Sequence, residues 1–316
     1  MVEKVYYVQS RSINPHHNLA LQKYLFDNIP DNSMIFMLWK NNDTVILGNQ
    51  QNAYMECTLS RFEIEHTYLA RREMVGKAIF NDLGCLNFAF FLYQNNYNII
   101  NQVNVIYQAL RQLGLPIYLD ENSEIMLSSA RITDSTYFTA QGKCIHSGTI
   151  YWDADKAKRG RLIRDDRAKS NIANITDFNQ LVSLNDISKK VLQSLADRYG
   201  PVYQLSITDN FEELVEKYRS LQYIYQTDKK YTLILNDHFE NGHMVLYVDM
   251  LRNYIMKIDV YMDNEDFMFI DSLQRVLAGM VVDDATFKRR IFHVDEQYGK
   301  DIIKIYELIK KESYNI

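Results

Sequence analysis

Apolar and polar positions along the chain repeat at two periods. Val5 to Val8 and Met34 to Trp39 are short apolar runs between polar flanks and read as strands, the second buried on both sides. Between them Leu21, Tyr24 and Leu25 recur at helical spacing behind Asn14-Pro15, an N-cap residue followed by proline at the first helical position. A turn at Asn41-Asn42-Asp43 leads into the strand Thr44 to Leu47, which reads as the second half of a hairpin. The amide cluster Gly48-Asn49-Gln50-Gln51-Asn52 ends it. Arg61 to Glu65 reads as a short helix, and Thr67 to Ala70 as a strand.

Cys85 to Leu92 is an apolar strand. Asn98 to Leu113 carries the clearest helical stripe, Val103, Ile106, Leu110 and Leu113, stopped by Gly114 and Pro116. Strands follow around Glu124 to Leu127 and at Cys144 to Tyr151, with Ser128 to Lys143 read as their connection. Asp186 to Leu195 is a helix closing near Gly200. Beyond it the pattern predicts a helix over Phe211 to Tyr225, strands at Tyr231 to Leu235, Met244 to Leu251 and Tyr254 to Tyr261, and helices at Phe267 to Leu277 and Ile302 to Ile309. The last two strands are joined at Arg252-Asn253. Strands and helices mix without strict βαβ alternation, so the fold class is α/β in the α+β, mixed-sheet sense. Residues 1–200 read as one large domain, and 201–316 as a linker and a small second domain.

Composition changes this picture little. With 47% hydrophobic and 24% charged residues the chain is an ordinary globular one, and only 11 Gly and 4 Pro argue against low-complexity linkers. A net charge of -5 gives no reason to expect nucleic acid as a partner. The basic run Lys156 to Lys169, broken by Asp165 and Asp166, reads as a solvated face. Cys57, Cys85 and Cys144 are odd in number, far apart and without metal spacing, so no metal site is expected and a reducing compartment is the simplest reading. The N-terminus lacks a signal-peptide core and no run reaches membrane-span length, which together point to a cytoplasmic location.

Candidate chemistry centres on Arg71 to Gly84, RREMVGKAIFNDLG. Two guanidinium forks beside Gly76, where backbone can approach closely, suit a phosphate or a carboxylate. Asp82 reads as a residue that orients the loop backbone. His16 and His17 read as solvated residues at the start of the first helix, and Cys57 and Cys85 as plain thiols.

The segments INPHHNLALQKYL, LWKNNDTVILGNQQN, RREMVGKAIFNDLGCLNFAF and IHSGTIYWDAD resemble, in order and spacing, those of lipoate–protein ligases, and GHMVLYVDMLRNYIMKIDVYMD resembles the small accessory domain of the longer ones. The resemblance spans nearly the whole chain. It implies the biotin and lipoate ligase type of catalytic domain and a monomer. It implies activation of lipoate by ATP with Mg2+ to lipoyl-AMP, then transfer to a lysine of a lipoyl domain. The acceptors would be the glycine-cleavage H protein or acyltransferase subunits of 2-oxoacid dehydrogenases. Nucleotide and lipoyl groups would then be held by Arg71, Arg72, Gly76, Lys77, Ala78, Ile79, Phe80, Asn81, Asp82 and His146. Trp39, Gly48, Gln51, Asn52, Gly148 and Thr149 also fit the family pattern.

The chain departs from that pattern where chemistry is expected. Met74 replaces a small hydroxyl residue, Val75 and Lys77 replace glycines, Asn81 replaces a histidine and Ser147 a second one. At the motif lysine stands Arg131, and Asp134 stands at the following glycine. Arginine keeps the charge but not the compact ammonium, and a carboxylate beside a phosphate is unfavourable unless paired. Three activities stay open: a remodelled ligase in which Lys77 and Arg131 share the catalytic charge; a degenerate ligase that binds lipoyl groups or lipoyl domains without adenylation; and an ATP-independent lipoyl or octanoyl transferase using Cys144, which alternation places on the same face as His146.

Overall fold

The computed structural model describes residues 2–51, 53–164, 171–225, 233–251, 253–263 and 266–313. The chain runs β1 (Lys4–Gln9), α1 (Pro15–Asp27), β2 (Ser33–Trp39), β3 (Thr44–Leu47), α2 (Ala53–Glu56), α3 (Ser60–Ile64), β4 (Tyr68–Arg71), β5 (Ile79–Asn81), β6 (Cys85–Tyr93) and α4 (Ile99–Arg111). It continues through β7 (Ile117–Leu119), β8 (Ile125–Leu127), β9 (Ala130–Arg131), β10 (Thr133–Ala140), β11 (Lys143–Tyr151), α5 (Lys156–Leu162), α6 (Leu184–Tyr199), β12 (Val202–Gln204), α7 (Glu212–Arg219) and α8 (Leu221–Tyr225). The last elements are β13 (Leu233–Phe239), β14 (Gly242–Leu251), β15 (Tyr254–Met262), α9 (Phe267–Leu277), β16 (Met280–Val281), α10 (Asp284–Ile291) and α11 (Glu296–Ser313). They form two compact units: Met1–Asn52 with Phe62–Ile224, and Ala53–Arg61 with Tyr225–Ile316.

The larger unit is built on a mixed sheet in the order β10-β11-β6-β2-β1-β12, antiparallel from β10 to β2 and parallel from β2 to β12. Both faces are covered, which is why β2 and β6 read as unbroken apolar runs. One face carries Phe36, Phe88 and Phe90 against Ile106, Leu110 and Leu195 of α4 and α6. The other carries Ile35, Met37, Ala89 and Phe91 against Leu21 and Leu25 of α1. Asn14 caps α1 by accepting from the His16 and His17 amides.

Five expectations change. β3 does not pair with β2; it lies between β4 and β5 in a separate three-stranded sheet, so the turn at Asn41 leads away from the large sheet rather than back along it. The segment read as a connection contains β10, whose alternating Thr, Tyr and Phe residues suit a half-covered edge strand along all of β11. His16 is buried rather than solvated, with its ring edge-on to Tyr68. Phe211 to Tyr225 is two helices, α7 and α8, because Ser220 between them is extended. In the basic run, Lys156 pairs with Asp177, Lys158 with Asp43 and Arg161 with Glu65, so α5 is pinned rather than only solvated; residues 165–169 of that run lie outside the described residues.

The smaller unit is an antiparallel sheet, β13-β14-β15-β16. Met244, Leu246, Val248 and Ile258 pack on Phe269, Leu273, Ile302 and Tyr306 of α9 and α11. The sequence reading missed α10, whose Phe287 stacks on Tyr306 at 3.8 Å. Tyr231 and Arg252, named above in a strand and a turn, lie outside the described residues. No described helix is long and apolar enough to cross a membrane.

Candidate functional site

Three short strands hold the arginine loop. β3 runs parallel to β4, with Leu47 opposite Arg71, and antiparallel to β5, with Thr44 opposite Asn81. The connection from β4 to β5 must therefore cross the end of β3, where Gly48 lies. A Cβ on Gly48 would meet the Gly76 carbonyl oxygen at 2.1 Å, so the two loops touch backbone to backbone. Gly76 has φ +121°, a conformation that favours glycine. The Asn49 amide donates to the Met74 carbonyl at 2.9 Å.

Both arginines are turned largely inward to backbone carbonyls, while Arg72 Nε is buried with no hydrogen-bond partner among the described residues. Arg71 is fully buried and donates through Nε to the Ile224 carbonyl (2.6 Å) and through Nη1 to those of Gly48 (2.7 Å), Asn49 (3.2 Å) and Gln51 (2.7 Å). Arg72 donates through Nη1 to the Ile46 carbonyl at 3.2 Å and through Nη2 to that of Lys77 at 2.8 Å. Burial lowers the Arg72 pKa to about 10, with Asp134 pulling the other way. The arginines therefore also brace the loop from within. Val75 and Lys77, which stand where the resemblance expects glycines, are both exposed, and among the described residues nothing pairs with the Lys77 ammonium. Met74 is the buried newcomer, packed in the cluster of Leu25, Trp39 and Phe91.

Ala78 and Phe80 are buried and Ile79 half-buried in the lead into and along β5. Asp82 accepts from the Gly84 amide at 2.9 Å and the Asp155 amide at 2.7 Å. Burial raises its pKa against those two bonds, and its role is to fix backbone. Asn52 lies outside the described residues.

On the face of the large sheet under this loop lies a polar row. In register across β10, β11, β6 and β2 stand Asp134, Thr149, Asn87 and Trp39. Thr136, next along β10, donates to the Val75 carbonyl at 3.1 Å and ties the loop to the sheet edge. Asn81 joins the row through Thr149, donating to its Oγ1 at 3.3 Å. Asp134 is paired: it lies 2.8 Å from Arg131 and accepts from the Tyr151 hydroxyl. Arg131 also lies 3.2 Å from Glu124. Burial opposes its charge, but Asp134 and Glu124 outweigh that and raise its pKa. Elsewhere on this face, a hollow of about 30 Å³ is lined by Leu19, Phe26, Met74, Phe138 and Ile145.

His146 is not on this face. It pairs with Tyr137 and Phe90, and its ring lies among Phe88, Phe90 and Tyr137 on the α4 side. Nδ1 is 3.1 Å from Gln102 Oε1 and Nε2 is 3.1 Å from Ser135 Oγ. Burial alone lowers its pKa to about 3. It borders a cavity of about 80 Å³ with Glu124, Thr133, Ser135 and Tyr137, separate from the loop side. Cys144 shares its face, as alternation predicts, but is packed in the apolar core, 3.3 Å from Thr139 Oγ1. The structure therefore brings together Arg72, Gly76, Asn81 and, at the edge, Arg131 with Asp134; it sets His146 and Cys144 apart. Sequence reasoning missed Asn87 and Asn41. The signal for Asn87 was present: it is the one amide in the otherwise apolar CLNFAFFLY of β6.

The model of the lipoyl protein ligase A/B catalytic domain matches residues 14–196, more than half of the chain. The chain belongs to that family. Among curated relatives, the lipoate-protein ligase A of Psychrobacter cryohalolentis is 24% identical over 310 residues, 91% of each chain. That of Blochmanniella pennsylvanica is 27% identical over 296 residues, covering 86% of this chain and 87% of its own. The family fold extends to solved structures. P. falciparum LipL1, in complex with lipoate, has TM-score 0.64 at 19% identity, covering 98% of this chain and 99% of that one. A lipoate-protein ligase A bound with ATP has TM-score 0.63 at 19% identity, covering 71% and 99%.

Proposed function

We propose that this chain is a lipoate–protein ligase. It activates lipoate with ATP as lipoyl-AMP and passes the acyl group to a lysine of a lipoyl domain. The observation that carries this reading is that the family match, residues 14–196, encloses the whole loop-and-row site, from the cap of α1 into α6. In the first step a lipoate carboxylate oxygen bonds to the α-phosphorus of ATP and pyrophosphate leaves. In the second, the acceptor amine bonds to the acyl carbon and AMP leaves.

Both steps develop negative charge on phosphate oxygens, which needs nearby cations or N–H donors. Lys77 has the exposed ammonium for this, on a loop fixed from within by Arg72. Arg131, at the sheet edge, is the second cation and acts against the pull of Asp134. Mg2+ would supply further charge neutralisation. The carboxylates near the row are already engaged, Asp82 with backbone amides and Asp134 with Arg131 and Tyr151, so the ion would be held chiefly by nucleotide phosphates. The acyl chain lies on the Met74 and Phe138 side. The acceptor is a lipoyl domain, of a glycine-cleavage H protein or a 2-oxoacid dehydrogenase acyltransferase subunit, and the chain acts as a cytoplasmic monomer.

Intact-mass measurement of such acceptor domains, incubated with the protein, lipoate, ATP and Mg2+, tests this reading. The expected result is one lipoyl group added per domain, only when ATP is present. A second reading is a lipoyl-domain binder without chemistry. It is favoured by the neutralisation of Arg131 by two carboxylates. Acceptor binding by calorimetry with no mass gain would establish it instead.

A further inference from the structure

Five side chains form a directional relay beneath the loop. Asn18 Nδ2 donates to Asn41 Oδ1 (2.9 Å), Asn41 Nδ2 to Asn81 Oδ1 (3.2 Å), Asn81 Nδ2 to Thr149 Oγ1 (3.3 Å), and Thr149 Oγ1 to Asn87 Oδ1 (2.7 Å). The direction is not arbitrary. Asn18 Nδ2 also lies within hydrogen-bond reach of the carbonyls of Ser12 (2.9 Å) and Lys40 (3.0 Å), which can only accept, so that amide cannot be turned round and its two hydrogens are shared among three acceptors. Each later amide is then fixed by the one before it, and the series polarises along its length.

The relay ends on a donor. Asn87 Nδ2 has no hydrogen-bond partner among the described residues, and Asn87 is only 2% exposed. Directly opposite on β2, Trp39 Nε1 is likewise unpartnered, in a residue 3% exposed. A buried N–H without an acceptor costs about 1–3 kcal/mol. Two on neighbouring strands of one face, one of them held in place by four ordered side chains, mark a place where something else supplies the acceptor.

We propose that Asn87, seconded by Trp39, is a ligand-binding donor whose amide N–H holds an acceptor atom of the acyl substrate. This rests on the ligase reading for the kind of ligand and deepens it. The donors are uncharged, so the contact discriminates by the presence of an acceptor rather than by charge. Its partner is either the carboxyl head, shared by every acyl acid, or a weakly accepting sulfur of the lipoyl ring, which a plain alkyl chain lacks.

Calorimetry with lipoate and with octanoate, without ATP or acceptor protein, tests this on the full chain. Asn87→Leu removes the donor at nearly constant volume, and Asn87→Asp keeps the shape while reversing the hydrogen-bond sense. Both are expected to weaken lipoate binding about tenfold. Trp39→Phe, which removes only the second N–H with part of the ring, is expected to weaken it less. An equal loss for octanoate assigns the contact to the carboxyl head; a loss confined to lipoate assigns it to the ring. Binding of both acids within twofold of the parent in Asn87→Leu and Asn87→Asp overturns the proposal and leaves the ligase reading standing. If the parent binds neither acid, the ligase reading and this proposal fall together.

Discussion

The Arg131 guanidinium lies 2.8 Å from the Asp134 carboxylate, in the stretch that the sequence resemblance matches to the family's lysine motif. The two departures from that motif therefore answer each other: the residue that keeps the charge is held by the residue that cancels it. Asp134→Asn should release that hold. The expected result is a several-fold lower KM for ATP, with the gain shrinking at high salt because the freed charge is partly exposed. KM measured at two ionic strengths checks this, and a higher KM at low salt would mean that Asp134 assists the nucleotide.

Lys77 carries the complementary test. It is exposed, and its side chain supports nothing around it among the described residues. Lys77→Ala should leave thermal unfolding unchanged. If Lys77 supplies the ammonium that the motif lost, the rate of lipoyl-AMP formation should fall by about tenfold or more. Undiminished adenylation in this variant removes Lys77 from the mechanism.

Two glycines of the loop differ in what a methyl group would strike. At Gly48 a Cβ meets backbone, the Gly76 carbonyl oxygen at 2.1 Å; at Gly76 it meets the end of the Arg72 side chain at 2.9 Å, on a backbone with φ +121°. Backbone cannot swing aside as a side chain can. Gly48→Ala should therefore destabilise the larger unit by about 3 kcal/mol, and Gly76→Ala by about 1–2 kcal/mol. Urea unfolding of the two variants gives the order, and the reverse order would contradict the close approach of the loops.

Much of this was legible in the chain. The apolar runs of β2 and β6, the stripe of α4 and the cap at Asn14 are local signals, and the structure has each of them. What the pattern could not give was partnership between distant segments. A turn like Asn41-Asn42-Asp43 is compatible with a hairpin, and only the competing pairs of β2 with β1 and β6 exclude it. Arg71 and Arg72 showed their charge in the sequence but not the backbone carbonyls to which the structure also ties them. His146 fits a motif beside residues that bind ligands, yet one step of strand alternation puts it on the opposite face from Ser147.

Cys144 decides the transferase alternative. It is buried among apolar residues, and both ring nitrogens of His146 are engaged elsewhere, by Gln102 and Ser135. A thiol without a base and without access is a poor nucleophile. Cys144→Ala should retain acyl transfer to acceptor domains, and the native protein should take no iodoacetamide at this position. An acyl-Cys144 trapped during turnover would reverse this view.

His146 also makes a sharp prediction about acid. Burial holds its pKa near 3, against an ordinary value of 6.5, so the folded protein keeps the ring neutral where the unfolded chain protonates it. Between those two values the unfolded state binds more protons, and stability must fall as pH falls from about 6.5 towards 3. The full loss across that window is on the order of 4–5 kcal/mol. His146→Phe keeps a ring between Phe90 and Tyr137 but cannot titrate. At neutral pH it should be less stable by about 2 kcal/mol, because Gln102 Oε1 and Ser135 Oγ lose a buried partner. As the pH drops, the parent loses stability faster than the variant, so their unfolding free energies should converge between pH 6.5 and 4. Curves that stay parallel over that range would assign the acid sensitivity to other groups.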